Sequence, residues 1–323
     1  MSAASERALA YVRGLAAGAP PGPEFTAGAA ITVNFHPDRL LADGRTVAEH
    51  LFAEGRYRNQ FETGISNGGL NAYLGGDRDR WEHRMFDGAY AGMVADRPVY
   101  GALNLAGYVD GASPRFGSCY LMLRPEVSAR ATFSHGDSVT EPTVVGTADT
   151  FGAIWEALLG EVARTGKALG LAADGPAAWV AALRAPRGAV GRCMDDYVET
   201  QIHGGVDLRA DVTAVVADPS FAGTPTAELL SALAPDLRWH PGFVLPVDAV
   251  PESLRGPVAP RLAAHLGDVY DTGVLHVELV GRAARSVVTA PADWADFGPP
   301  AEVLQQLKYL WHILVILGAP ANP

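Results

Sequence analysis

The run Tyr197-Val198-Glu199-Thr200-Gln201-Ile202-His203, closed by Gly204-Gly205, constrains the chain more than any other segment. In a strand, successive side chains point to opposite faces. Glu199, Gln201 and His203 therefore share one face, and Val198, Thr200 and Ile202 the other. Three polar groups converging on one surface either meet solvent along an edge strand or line a site. A carboxylate flanked by an amide and an imidazole suits stabilisation of a transient cation or a hydrogen bond to a sugar hydroxyl.

Other strand signals are spread along the 323 residues. Ala30–Phe35, Pro98–Leu103 and Ser118–Leu123 are β-rich runs bounded by turn residues. Helical spacing appears over Ser5–Ala17, Thr46–Glu54, Thr150–Leu171, Ala177–Leu183, Thr226–Leu233 and Val258–Leu266. Tyr57–Gly76 is dense in Gly and Asn and predicts a strand with irregular loops; Val274–Val280 alternates as a strand would. Val303–Leu317 is strongly apolar but is interrupted by Gln305, Gln306, Lys308 and His312. It falls short of the roughly 20 apolar residues of a membrane span and predicts a buried or dimer-forming helix. The organisation expected is an N-terminal helix and linker over 1–30, a core over 31–218, and a helical and strand extension over 219–323 packed on that core.

The formal charge of −11, from 25 basic and 36 acidic residues, argues against an extended nucleic-acid surface, which needs clustered Lys and Arg to displace counterions. Arginines do concentrate between Arg39 and Arg84, interleaved with acids, so a specific anionic ligand such as a dinucleotide pyrophosphate fits. Two cysteines, Cys119 and Cys193, give no disulfide framework. Together with an N-terminus that lacks a secretory pattern, they lead to the expectation of a cytoplasmic protein. The nine histidines are scattered without ligand spacing, so no metal is expected.

Four segments carry candidate chemistry. Asn34-Phe35-His36-Pro37-Asp38-Arg39 places His36 and Arg39 at a strand end, where Arg39 either clamps phosphate or pairs locally, and His36 can donate to a ribose or amide. Gln60-Phe61-Glu62-Thr63-Gly64-Ile65-Ser66-Asn67-Gly68-Gly69 lets backbone approach a ligand beside Thr63, Ser66 and Asn67, or forms a structural turn. Gly64-Ile65-Ser66-Asn67-Gly68 also matches the G-x-S-x-G pattern of a nucleophile elbow, with His203 as a conceivable base. Tyr100-Gly101 and Phe116-Gly117 pair a flat ring with open backbone, which serves stacking or core packing. Asp77, Arg78, Asp79, Arg80 and Glu82 are expected to form a solvated charged face, and Asp137 a turn or cap.

On these segments, from Ile31 to Leu208, the chain resembles a bacterial family known as a domain of unknown function, DUF3626. More distantly it is similar to the ADP-ribosyltransferase superfamily, whose cores carry an early Arg or His, a Ser- and Thr-bearing segment, and a late strand with an essential Glu. That resemblance implies an α+β fold with a mixed, mostly antiparallel sheet and N-terminal, middle and C-terminal helices. It implies NAD as substrate, with transfer of ADP-ribose to an unknown acceptor or to water. His36, Arg39, Thr63, Gly64, Asn67, Tyr100 and His203 would contact NAD; Glu199, Gln201 and Ser66 would serve catalysis, with either Glu199 or Gln201 at the essential position. The full Ser-Thr-Ser triplet of that superfamily is absent, and this chain reads Glu62-Thr63-Gly64-Ile65-Ser66 there. A serine hydrolase using Ser66, or a ligand-binding domain without turnover, would share several of these features.

Overall fold

A computed structural model describes residues 1–65, 70–185, 188–234 and 236–321. The chain opens with helix α1 (Ala3–Leu15), capped by the Ser2 hydroxyl. Strand β1 (Ile31–Phe35) follows, then α2 (Val47–Glu54), held by a Thr46/Glu49 capping box, the single turn α3 (Gln60–Thr63), and α4 (Asp77–Met85). Next come β2 (Val99–Leu103), β3 (Cys119–Leu123), β4 (Ala131–His135), β5 (Val145–Thr147), α5 (Gly152–Thr165) and α6 (Pro176–Arg184). The remainder comprises β6 (Val198–Ile202), β7 (Val212–Ala217), α7 (Pro225–Leu233), β8 (Leu237–Trp239), α8 (Val258–Tyr270), α9 (Val277–Thr289) and α10 (Pro300–Leu317).

The fold is α+β. Eight strands form one sheet in the order β8-β7-β3-β1-β2-β6-β4-β5, antiparallel throughout except for the parallel pair β7/β8. One face is hydrocarbon. Val33, Phe35, Val99, Leu103, Leu121, Phe133, Val198 and Ile202 join Ile154, Trp155 and Leu158 of α5, Trp179 and Leu183 of α6, and the C-terminal helices in one cluster. Strand β8 and helix α10 both belong to the 219–323 segment and are integrated here, β8 in the sheet and α10 in the same core. The apolar side of α10, including Leu307, Leu310, Trp311 and Leu314, is buried within its own chain. Among the described residues no helix is long and apolar enough to cross a membrane.

The opposite face is polar yet buried. Thr32, Asn34, Thr132, Ser134, Glu199 and Gln201 all point there and are covered, on the β4–β5 side by Ala4, Ala8 and Val12 of α1, Trp81 and Met85 of α4, and Tyr90 in the turn beyond it. An eight-stranded sheet placed β6 in its interior, so its polar alternation does not mark a solvent-facing edge.

Several sequence expectations change. Among the described residues of Tyr57–Gly76 the one strand is the two-residue Arg56–Tyr57 at its start, and α3 follows because Asn59 caps a helical turn by accepting from the Phe61 and Glu62 amides. The helix expected to reach Leu171 stops at Thr165, where Gly166 adopts φ 73°, and a small hairpin, Lys167–Ala168 with Leu171–Ala172, takes its place. Val274–Val280 is a strand only at Val274–Leu275; the His276 side chain then caps α9 by accepting from the Leu279 amide. The charged run Asp77–Glu82 is not a solvated loop but the start of α4, with Arg78 and Glu82 buried beside Trp81 and Met85. Arg97 enters that layer and donates to Glu82 at 2.7 Å, offsetting the cost of burying the carboxylate.

Candidate functional site

The sheet is forked at its centre. Strands β1 and β2 pair only at Ile31↔Leu103 and Thr32↔Ala102, whereas β1 stays paired to β3 as far as Phe35↔Cys119 and β2 stays paired to β6 as far as Val99↔Ile202. Beyond Thr32 and Ala102 the two halves part, and a cleft opens between them. Its walls include Asn34, Phe35 and His36 from one prong and Val99, Tyr100, Gly101 and Glu199 from the other, with Arg39, Tyr57, Thr63 and Ile65 from the connecting loops. Counted out through its open mouth, and so including solvent, the space between these walls is about 1060 Å³.

The β1 prong is pinned by the segment that precedes β3. The Asn34 amide donates to the Gly117 carbonyl at 3.1 Å, the Ser113 hydroxyl donates to Asn34 Oδ1 at 3.2 Å, and the Ala112 amide donates to the Thr32 hydroxyl at 3.2 Å. Gly117 passes so close to the Phe35 backbone that an added Cβ would lie 2.2 Å from its carbonyl carbon, so only glycine fits. At the tip His36 sets its ring edge-on to Trp311 of α10, centroids 5.2 Å apart. Burial, with Arg39 and Lys308 nearby, depresses its pKa to about 3, so it serves as a neutral donor or acceptor at physiological pH. Arg39, itself exposed, reaches the cleft from just beyond the buried turn Pro37–Asp38.

On the other prong Glu199 is buried and held on both oxygens. The Ser138 amide and hydroxyl donate to Oε2 at 3.3 and 3.1 Å, and the Gln201 amide donates to Oε1 at 3.0 Å. Burial raises its pKa to about 7, Arg78 opposing and Asp137 adding to the rise. Arg78 itself donates to the Ser138 hydroxyl at 2.6 Å and lies over the Tyr100 ring, 4.2 Å from its centroid. Its Nε has no partner among the described residues although it is buried.

Gln201 and His203 stand behind Glu199 rather than in the cleft. The Gln201 amide nitrogen also donates to the Ser134 hydroxyl, and its carbonyl accepts from the Thr132 hydroxyl at 2.8 Å. With that proton committed, Thr132 accepts from His203 Nε2 at 3.1 Å, and His203 Nδ1 accepts from the Tyr90 hydroxyl at 2.6 Å. Both imidazole nitrogens are therefore occupied by the fold, leaving His203 none with which to activate a nucleophile. Its pKa is lowered to about 3 by burial.

The structure thus brings His36, Arg39, Thr63, Tyr100 and Glu199 into one cleft. Gly64 ends α3 at φ 65°, between the cleft residues Thr63 and Ile65. Ser66 and Asn67, with Gly68 and Gly69, lie outside the described residues. Arg78, Asp137 and Tyr197 also line the cleft, although the sequence reading assigns them other places: Arg78 in a charged face, Asp137 as the turn cap it is, and Tyr197 at the start of the late strand. For Arg78 a signal existed: Arg78, Trp81, Glu82 and Met85 fall at i, i+3, i+4 and i+7, one helical face.

The model of the family described as "Protein of unknown function (DUF3626)" matches residues 30–317, taking in every strand of the sheet and every helix except α1 and the single turn Glu24–Ala27. The chain belongs to that family. No curated protein matches this DUF3626 chain. Among its described residues no three His, Cys, Asp or Glu side chains converge as a metal site.

Proposed function

We propose that this DUF3626 protein cleaves NAD, releasing nicotinamide and passing ADP-ribose to an acceptor or to water, on a core of ADP-ribosyltransferase type. One observation carries the reading: residues far apart in the chain, His36 and Arg39 on one prong and Glu199 on the other, meet across a fork in the sheet. Arg39 at the mouth offers a bidentate partner for the pyrophosphate, and the neutral His36 a donor for a ribose hydroxyl or the carboxamide. Tyr100 presents a ring for the nicotinamide to lie against.

Cleavage of the C1′–N bond sends its electron pair to the ring nitrogen, which abolishes the pyridinium charge and leaves positive charge on the ribose. A carboxylate fixed from both sides is suited to that moment, because it stabilises developing charge without having to reorient. Gln201 is a positioning residue here, locking Oε1 of Glu199. With a pKa of about 7, Glu199 is substantially ionised at neutral pH, and a bound pyridinium cation favours the ionised form further. Two unpaired thiols, Cys119 and Cys193, fit the reducing cytoplasm in which such a substrate is abundant.

The test is free nicotinamide measured after incubation with NAD, for the parent and for Glu199→Gln. Loss of the carboxylate should slow release by about 100- to 1000-fold. Release at the parental rate by Glu199→Gln would remove Glu199 from the chemistry, and a parent that releases none would end the NAD reading.

A further inference from the structure

Beside Glu199 the cleft holds a second buried carboxylate with an oxygen to spare. Asp137 is only 6% exposed, and its Oδ1 accepts from the Val139 amide at 2.8 Å, capping the turn Ser138–Thr140. Its Oδ2 has no hydrogen-bond partner among the described residues. The Arg115 guanidinium stands 3.7 Å off and is drawn instead to Asp195. The peptide that follows Asp137 is the one whose N–H holds Glu199, so the two carboxylates flank the same corner of the cleft.

Tyr197 completes this corner. It is 4% exposed, its hydroxyl stands close enough to the Asp137 carboxylate to interact with it, and neither that hydroxyl nor Asp137 Oδ2 meets the geometry of a full hydrogen bond among the described residues. Burial and the neighbouring Glu199 and Asp137 hold the phenol protonated, so it remains a donor. A free acceptor oxygen and a free donor hydroxyl, side by side and nearly dry, form a slot for one group that both gives and takes a hydrogen bond. A hydroxyl does this. A guanidinium only donates, and it would enter between Arg78 and Arg115, two cations already flanking the corner.

We propose that Asp137 is the general base for the acceptor, and that the acceptor is a hydroxyl, water in the simplest case, seated between Asp137 Oδ2 and Tyr197. This deepens the NAD reading and rests on it. As the acceptor oxygen bonds to C1′, its proton passes to Asp137. The C1′–N bond breaks, its electron pair stays on nicotinamide, and Asp137 later returns the proton to solvent. Atoms and charge balance: NAD and an alcohol or water yield nicotinamide, the ADP-ribosylated oxygen and one proton.

The experiment follows nicotinamide release and ADP-ribose products from NAD in the full-length protein, with and without sodium azide. Asparagine caps a turn as well as aspartate does, so Asp137→Asn keeps the Val139 bond and should melt and bind NAD like the parent. Its turnover in water should fall by about 100-fold or more. Azide has no proton to lose. It should restore Asp137→Asn to within about tenfold of the parent, giving ADP-ribosyl azide, yet leave Glu199→Gln slow. Tyr197→Phe, which removes one hydrogen bond, should slow hydrolysis by about tenfold. Parental hydrolysis by Asp137→Asn, or a slowed variant that azide fails to restore, would overturn the role of Asp137 while leaving the NAD reading in place. A parent silent towards NAD in water and in azide would overturn both.

Discussion

Strands β2, β4 and β6 present two different interiors. Towards the helices they turn Val99, Leu103, Phe133, Val198 and Ile202, packed with aromatic rings from α5 and α6. On the opposite face the same strands turn Tyr100, half-buried in the cleft wall, and Thr132, Ser134, Glu199 and Gln201, as enclosed as the hydrocarbon but joined by hydrogen bonds that run from Ser138 through Glu199, Gln201 and Thr132 to His203 and Tyr90. Hydrocarbon burial contributes stability in proportion to area, whereas a buried polar chain at best offsets its own desolvation. A sheet that needed only stability would be apolar on both faces. The polar interior is kept where it ends on an open cleft, and its rigidity is what orients Glu199.

The contrast is broken most forcefully on the hydrocarbon side. Phe133 is buried edge-on to Phe151, centroids 5.3 Å apart, and Phe133→Ala should cost about 3 to 5 kcal/mol of unfolding free energy by denaturant titration. The surviving folded fraction should bind NAD with unchanged affinity, since the ring faces away from the cleft. A shift in affinity as large as the loss of stability would mean the two faces are coupled.

A smaller effect belongs to the polar side and depends on pH. Burial lifts the Glu199 carboxyl from its ordinary 4.5 to about 7 in the folded state, so folding is unaffected well below 4.5 and is increasingly opposed as pH rises towards 7. Glu199→Gln carries no such charge. Its unfolding free energy relative to the parent should rise by about 2 kcal/mol between pH 5 and pH 8. His36, His203 and His312, all depressed to about 3 by burial, act in the opposite sense: stability is lost as pH falls below 6.5. Both proteins share that loss, so it cancels in the difference. A gap that stays constant with pH would show the carboxyl to be ordinary in the folded state.

How far the two faces were legible in the sequence follows from what each demands of it. Strands β1, β2, β3 and β6 announced themselves, the last through strict alternation of Glu199, Gln201 and His203 with Val198, Thr200 and Ile202. Strand β7, Val-Thr-Ala-Val-Val-Ala, gave no such sign because it is buried on both sides and needs no alternation. Asp77–Met85 looked solvated because charge usually is; its burial depends on Arg97, Tyr100 and Ser138, which only the fold brings near. The same holds for the cleft. His36, Arg39 and Glu199 could be singled out by residue type, but the fork between them is a matter of register, where β1 and β2 stop pairing, and no single segment encodes it.

The smallest expected effect probes that fork directly. Thr32 sits at the last position where β1 pairs with β2, and its hydroxyl accepts the Ala112 amide at 3.2 Å while its other contacts, to Asn34 and the Ala102 carbonyl, are longer at 3.4 Å. Thr32→Val keeps the β-branch and nearly the same shape but replaces the hydroxyl by a methyl, so the buried Ala112 N–H loses its acceptor, at a cost of about 1 kcal/mol or somewhat more. The loss should be local. Hydrogen exchange at the Ala112 amide should quicken roughly fivefold, while amides of β4 and β6 on the other prong keep their protection. If exchange rises equally on both prongs, the fork is one rigid unit and its two walls cannot be tuned apart. If it rises on the β1 prong alone, the wall bearing His36 and Arg39 can move without disturbing the network that fixes Glu199.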